Sequence, residues 1–175
     1  MTTTAQQIPT DTYNLDPVHS NIGFAVQFNG VSIFRGQFEQ VEAKLEDGVL
    51  IGTAQAESIK TAIPQLHAQL AAPEFFDVES TPTVTFRSTD IRIADDSSVE
   101  VDGELEIRGV AKPVTARGRF SSGVGMTGSE VVGLELQARI DRRDYGLNWQ
   151  QLLPGGGEAL GWEVSLEVHL QLARA

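Results

Sequence analysis

The chain has no cysteine. A disulfide framework, a thiolate metal site and a cysteine nucleophile are therefore excluded. Histidine is scarce too. His19, His67 and His169 lie far apart and lack the His-x-x-x-His spacing of a zinc motif. Basic residues are few, with 13 Lys and Arg against 24 Asp and Glu, giving a net charge of −11. Such a surface repels phosphate backbones, so no nucleic-acid partner is expected. Electrostatic docking on anionic lipid is disfavoured for the same reason. No run approaches the roughly 18 apolar residues of a membrane span, and no stable membrane insertion is expected. Residues 1–17 contain neither Lys nor Arg nor an apolar stretch and do not read as a secretory signal, so a cytoplasmic location is expected.

What the chain does have is alternation. At 175 residues it suits one domain, with a flexible N-terminal segment over residues 1–11 and a single domain over 12–175. Ile22, Phe24, Val26 and Phe28 alternate with polar or small residues, as do Val41, Ala43 and Leu45. Asp47-Gly48 is a hairpin signal, and Val49 to Ala56 reads as the return strand, irregular near Gly52-Thr53. Further alternating runs cover 84–88, 99–107, 132–140 and 162–172. A turn is expected over Gly109–Lys112, leading into 113–121. Only residues 62–77 read as helical, with Pro64 in a first turn, Leu66 and Leu70 at i, i+4 spacing, and Pro73 ending that helix or starting a second one. About eight strands in meander order with one helical insertion point to an all-β closed barrel or a sandwich. At eight strands a barrel interior holds side chains or one small ligand. Alternation alone does not separate the two.

Catalytic signatures are weak. Gly123-Val124-Gly125-Met126-Thr127-Gly128 matches Gly-x-Gly-x-x-Gly, but a turn between strands is the wrong setting for a dinucleotide. Gly155-Gly156-Gly157 lacks the lysine of a phosphate loop. No Gly-x-Ser-x-Gly elbow is present. Ser20 is read as a turn cap, His169 as an exposed residue on the polar phase of the last strand, and Asp141 with Asp144 as a pair supported by proximity alone. No catalytic residue, no metal site and no required cofactor are expected, and the chain is read as a non-enzyme.

Four ordered blocks carry a family resemblance: Leu15-Asp16-Pro17-Val18-His19-Ser20 with Arg35-Gly36-Gln37-Phe38; Glu57-Ser58-Ile59-Lys60-Thr61 with Leu70-Ala71-Ala72-Pro73-Glu74-Phe75-Phe76; Gly103-Glu104-Leu105-Glu106-Ile107-Arg108-Gly109; and Ile140-Asp141-Arg142-Arg143-Asp144-Tyr145-Gly146. From about Tyr13 to Leu172 the chain resembles the YceI-like polyisoprenoid-binding proteins. The resemblance implies an extended antiparallel eight-stranded lipocalin-like barrel with a lengthwise apolar channel. It also implies a bound isoprenoid lipid, of polyprenyl or quinone type, as the partner, a sequestration or transport role, and a homodimer. Candidate channel residues are Phe24, Val26, Phe28, Phe38, Phe86, Leu105, Ile107, Leu134, Leu136 and Ile140, with Phe75 and Phe76 lining or capping the mouth. A polar head would want a cation at one rim, for which Arg35, Lys60, Arg108, Lys112, Arg142 and Arg143 are candidates. Tyr145 and Trp149 are expected to close the barrel end. The family often places His where Phe28 stands, and Asp-x-His-Leu where His67-Ala68-Gln69-Leu70 stands. Two other functions stay open: a stress-response or interaction module whose barrel is filled by its own side chains, and an isomerase or hydrolase that would need a polar cluster at the cavity floor, such as His67 facing Asp141.

Overall fold

The structure, a computed structural model, describes residues 7–175. Residues 1–6 of the N-terminal segment lie outside the described residues. Within residues 7–11, Ile8 packs against the core, Thr10 accepts a hydrogen bond from the Asp47 N–H, and Asp11 pairs with Arg174 at 3.2 Å.

Eleven strands follow one another: β1 (Tyr13–Leu15), β2 (Asn21–Phe28), β3 (Ser32–Phe38), β4 (Val41–Glu46), β5 (Val49–Gln55), β6 (Ile59–Thr61), β7 (Thr83–Ile93), β8 (Ser98–Ile107), β9 (Val110–Val124), β10 (Glu130–Asp141) and β11 (Leu160–Arg174). A single short helix, α1 (His67–Ala71), precedes β7. Three pairs of strands are halves of longer lines. β1 and β2 are separated by a 3-10 turn at Pro17–His19 and pair in succession along β11, from Tyr13↔Arg174 to Phe28↔Leu160. β3 and β4 form the next line, and β5 and β6 the one after. The result is a closed eight-strand antiparallel barrel in meander order, the architecture expected.

Turn chemistry sets the register. Asn29-Gly30, Asp47-Gly48 and Arg108-Gly109 each carry two successive positive φ angles. At Asp47-Gly48 and Arg108-Gly109 that geometry matches the twist of a two-residue hairpin, while Asn29-Gly30 opens a three-residue loop completed by Val31. The turn expected over Gly109–Lys112 is therefore shorter, because Arg108-Gly109 already completes it and β9 resumes at Val110. Pro113 sits inside β9 without breaking the ladder, since β10 pairs β9 only over Arg117–Val124. β3 adds a strand to those expected; Phe34, Gly36 and Phe38 form its inward phase. The Gly-x-Gly-x-x-Gly match is a hairpin, closed by Gly125 N–H to Ser129 O at 2.8 Å and Gly128 N–H to Gly125 O at 3.0 Å.

The two ends of the barrel differ in filling. At the end where β1, β4 and the start of β10 meet, Tyr13, Leu45, Val99, Val101, Phe120, Val132, Leu134 and Leu172 interdigitate, and Leu45, Val101, Leu134 and Leu172 have no exposed surface. At the other end the inward positions hold small residues: Ala43, Gly52, Ala54, Ala116 and Ala138. Large side chains meet across the axis at one end; small ones leave space at the other.

The insertion covers a seam. β5 pairs β7 only as far as Gln55↔Thr83, and β6 has no partner on that side. Residues 62–82 cross this gap. A 3-10 turn at Pro64–Leu66 leads into α1, and the segment after Pro73 folds back through Phe76 N–H to Leu70 O and Asp77 N–H to Ala72 O, both 3.0 Å. Pro73 thus ends the helix, and hydrogen-bonded turns follow it.

Candidate functional site

The open half of the barrel encloses a cavity of about 690 Å³, inside the roughly 300–1,000 Å³ range of ligand pockets. One wall is aromatic. Phe34, Phe24, Phe38 and Phe76 run in sequence, with ring centroids 6.4, 6.3 and 5.8 Å apart, the tilted and edge-on spacings that aromatic rings prefer. Gly36 permits this wall: a Cβ there would fall 2.5 Å from Phe24 Cζ, so any larger residue would push the ring into the cavity. Gly103 gives Phe86 the same room. Leu105, Ile107 and Ile140 continue the lining on β8 and β10, and Val164 and Leu166 on β11 join it to the aromatic wall, each beside its β2 partner, Val26 or Phe24. Leu50, Leu136 and Leu170 form the floor, where the packed half begins.

Eleven of the twelve channel candidates line this cavity: Phe24, Val26, Phe28, Phe38, Phe75, Phe76, Phe86, Leu105, Ile107, Leu136 and Ile140. Leu134 does not. It lies two residues beyond Leu136 toward the packed end and is wholly buried there. The expected lengthwise channel is accordingly a blind pocket, because bulky residues from β1, β4, β8 and β11 stop it. Sequence reasoning missed Phe34, Trp149 and Leu160 as lining residues. For Phe34 the signal was present, in the Phe34-x-Gly36-x-Phe38 alternation. Trp149 lies on a loop, where period carries no information; it packs on Phe75 at 5.6 Å and closes the mouth as expected.

The six head-group candidates part company. Arg35 pairs with Glu167 and Lys60 with Glu39 on the outside of the barrel. Lys112 is exposed. Arg108 donates to the carbonyls of Gly146 and Pro73, joining the insertion to the turn after β10. Arg143 pairs with Asp141 at 2.6 Å, which holds that carboxyl at about 2. Arg142 alone lines the cavity. It is buried, and it donates to the carbonyls of Gly161 (2.8 Å), Leu147 (2.6 Å), Trp149 (2.7 Å) and Leu160 (3.2 Å). Its guanidinium also lies 4.1 Å over the Trp162 ring, a cation–π arrangement. Four of a guanidinium's five N–H groups are thus spent on backbone. Arg142 ties the loop after β10, at Leu147 and Trp149, to the start of β11, and burial pushes its pKa down.

No polar cluster occupies the cavity floor among the described residues. His67 Nε2 lies 2.7 Å from the Glu57 carbonyl, and Asp141 faces Arg143. His169 is exposed, as its strand phase required. No group of three or more metal-ligating side chains is found among the described residues, and no helix among them is long and apolar enough to cross a membrane.

Tyr145 packs against Leu105, Ile107, Ile140 and Leu147 under the cavity wall, and burial pushes its phenol up to about 12. The unfolded chain releases this proton near pH 10. Between these values the folded state binds more protons, so stability falls as pH rises. Thermal melts from pH 8 to 11.5 should show a declining Tm. Tyr145→Phe should melt normally at pH 8 and lose part of the alkaline decline; Tyr13, also raised, keeps the remainder.

The sequence profile described as the YceI-like domain matches residues 13–172. A UPF0312 protein of Staphylococcus epidermidis is 29% identical over 171 residues, covering 92% of this chain and 96% of the relative. A UPF0312 protein of Staphylococcus aureus is 28% identical over the same shares. Among solved structures, BcnA of Burkholderia cenocepacia superposes with TM-score 0.73 at 20% identity, over 90% of this chain and 98% of its own. A polyisoprenoid-binding domain from Saccharophagus degradans, implicated in plant cell wall breakdown, gives 0.70 at 15% identity, over 93% and 98%. At such identities the structural likeness concerns the fold.

Proposed function

Because the chain belongs to the YceI-like family, we propose that it binds one long isoprenoid lipid, tail first, in the open half of the barrel. The cavity carries this reading: a blind apolar pocket walled by phenylalanine and branched aliphatic residues suits a tail and offers little to a polar substrate. The structural likeness to a polyisoprenoid-binding domain supports it. The polar end of the ligand rests at the mouth, beside Gln69 and Gln151.

The placement of the cations favours one kind of polar end. A phosphate wants free Arg or Lys donors. Of the six candidates, five lie away from the cavity, and Arg142 has given four N–H groups to carbonyls. The head is therefore neutral, an alcohol or a quinone. Energetics favour a carrier over a sink. Each buried methylene is worth ~0.8 kcal/mol relative to water, but the free lipid already sits dry in a bilayer, so bilayer-to-barrel transfer is close to neutral in hydrophobic free energy.

Native mass spectrometry after incubation with a polyprenol, an isoprenoid quinone and a polyprenyl phosphate tests both parts. One-to-one adducts with the alcohol and the quinone are expected. The bare polypeptide mass under all three conditions overturns the binding proposal, and preference for the phosphate overturns the neutral head.

A further inference from the structure

Three segments border the mouth: the β2–β3 hairpin, the start of the insertion, and the loop between β10 and β11. They fall in the three longest charge-free stretches of the chain. Residues 20–34, 61–73 and 145–157 contain no Asp, Glu, Lys or Arg, in a chain that is 21% charged. All three supply lining residues to the cavity: Phe28 and Ile33 from the first, Ile63 and Gln69 from the second, Trp149 and Gln151 from the third. They also touch one another. The Asn29 N–H donates to the carbonyl of Ala159, just past the third segment, at 2.7 Å, and Phe75, just past the second, packs on Trp149.

The apolar residues these segments show to solvent are large. Val31 is 88% exposed, Leu152 76%, Ile33 55% and Ile63 49%; with Phe28 they make up five of the eight large exposed apolar residues among the described residues. Val124 and Met126 sit on the β9–β10 hairpin at the packed end, and Val18 lies on the β1–β2 turn. Apolar residues scattered singly need no explanation, but a cluster around a cavity mouth does.

We infer that this uncharged apolar collar seats the mouth on a zwitterionic bilayer surface, so that lipid passes from membrane to barrel without crossing water. The inference rests on the proposed function, because only a ligand that resides in a bilayer needs such a route. Charge favours this occupant. With a net charge of −11 the remaining surface is repelled by anionic membranes and by a second copy of itself. The collar is the one part of the mouth region where desolvating charge costs nothing. Val31 and Leu152 project beyond the cavity lining, placing their side chains where the acyl boundary would lie.

The test uses the double variant V31D/L152D, whose changed side chains lie outside the cavity lining. Transfer of an isoprenoid quinone from phosphatidylcholine vesicles should rise in proportion to vesicle concentration for the wild-type protein. It should fall at least tenfold for the double variant, with unchanged occupancy when the quinone is supplied in detergent. Brominated phosphatidylcholine should quench Trp149 in the wild-type protein and not in the variant, and anionic lipid should slow transfer at low salt. A transfer rate independent of vesicle concentration, or equal in the two proteins, overturns the inference. So does a wild-type dimer that the double variant dissociates, because a second copy would then cover the collar. If the wild-type protein takes up no quinone from detergent, the binding proposal fails by itself, and quenching by brominated lipid still decides for or against the collar.

Discussion

The double variant A54L/A138F should lose isoprenoid binding by at least a hundredfold while folding as well as the parent. Both alanines point into the open half of the barrel and both are buried. Their small size, with that of Gly52 and Ala116, is the reason the space exists at all. Filling a dry void returns dispersion contacts to its lining, so the variant should be as stable as the parent or more so, by about 1 kcal/mol. Overpacking would cost ~1–3 kcal/mol instead, and a cavity of about 690 Å³ leaves ample room for two enlarged side chains. Quinone titration with a denaturant curve separates the outcomes. Binding lost with stability kept is expected. Binding retained would mean that the ligand sits elsewhere.

Arg142→Met should be the most destabilising single change at the site, costing about 4 kcal/mol. Methionine keeps the apolar stem but leaves the carbonyls of Gly161, Leu147 and Trp149 without their Arg142 donor, while the Leu160 carbonyl keeps the Gln150 side chain. An unsatisfied buried acceptor costs ~1–3 kcal/mol, and water reaching those nearer the mouth reduces the sum. The loss should concentrate in one place: faster amide exchange over residues 147–161, with β8 and β9 unchanged. Arg142→Lys should not rescue it, since an ammonium has three donors and no planar fork. Uniform destabilisation without local opening would show that Arg142 does not fasten the loop.

The alternating strands were legible because period two is a strong signal when one face is buried. Phe24, Val26 and Phe28 fell on the inward phase that β2 presents, and Leu105, Ile107 and Ile140 did likewise on β8 and β10. The same period hid the difference between the two barrel ends. Leu134 and Leu136 share a phase on β10, yet one is packed solid and the other borders empty space. What separates them is the size of the inward residues at each level, Leu45 and Leu172 against Ala43 and Ala116, and that grouping depends on closure and stagger. Arg142 and Arg143 were indistinguishable in sequence for a related reason. A 3-10 turn at Arg142–Tyr145 sends one inward to the loop carbonyls and the other outward to Asp141. Trp149 and the charge-free collar lie on loops, where only the folded chain shows which segments share a mouth.

A crystal structure of the protein loaded with a polyprenol tests the half-hollow barrel most directly. Continuous tubular density is expected from the mouth at Trp149 along the Phe24, Phe38 and Phe76 wall, ending at Leu136 and Leu170 short of Leu134. A cavity closed by Phe24, Phe76 and Phe86 meeting across the axis, with no density between them, would contradict the account.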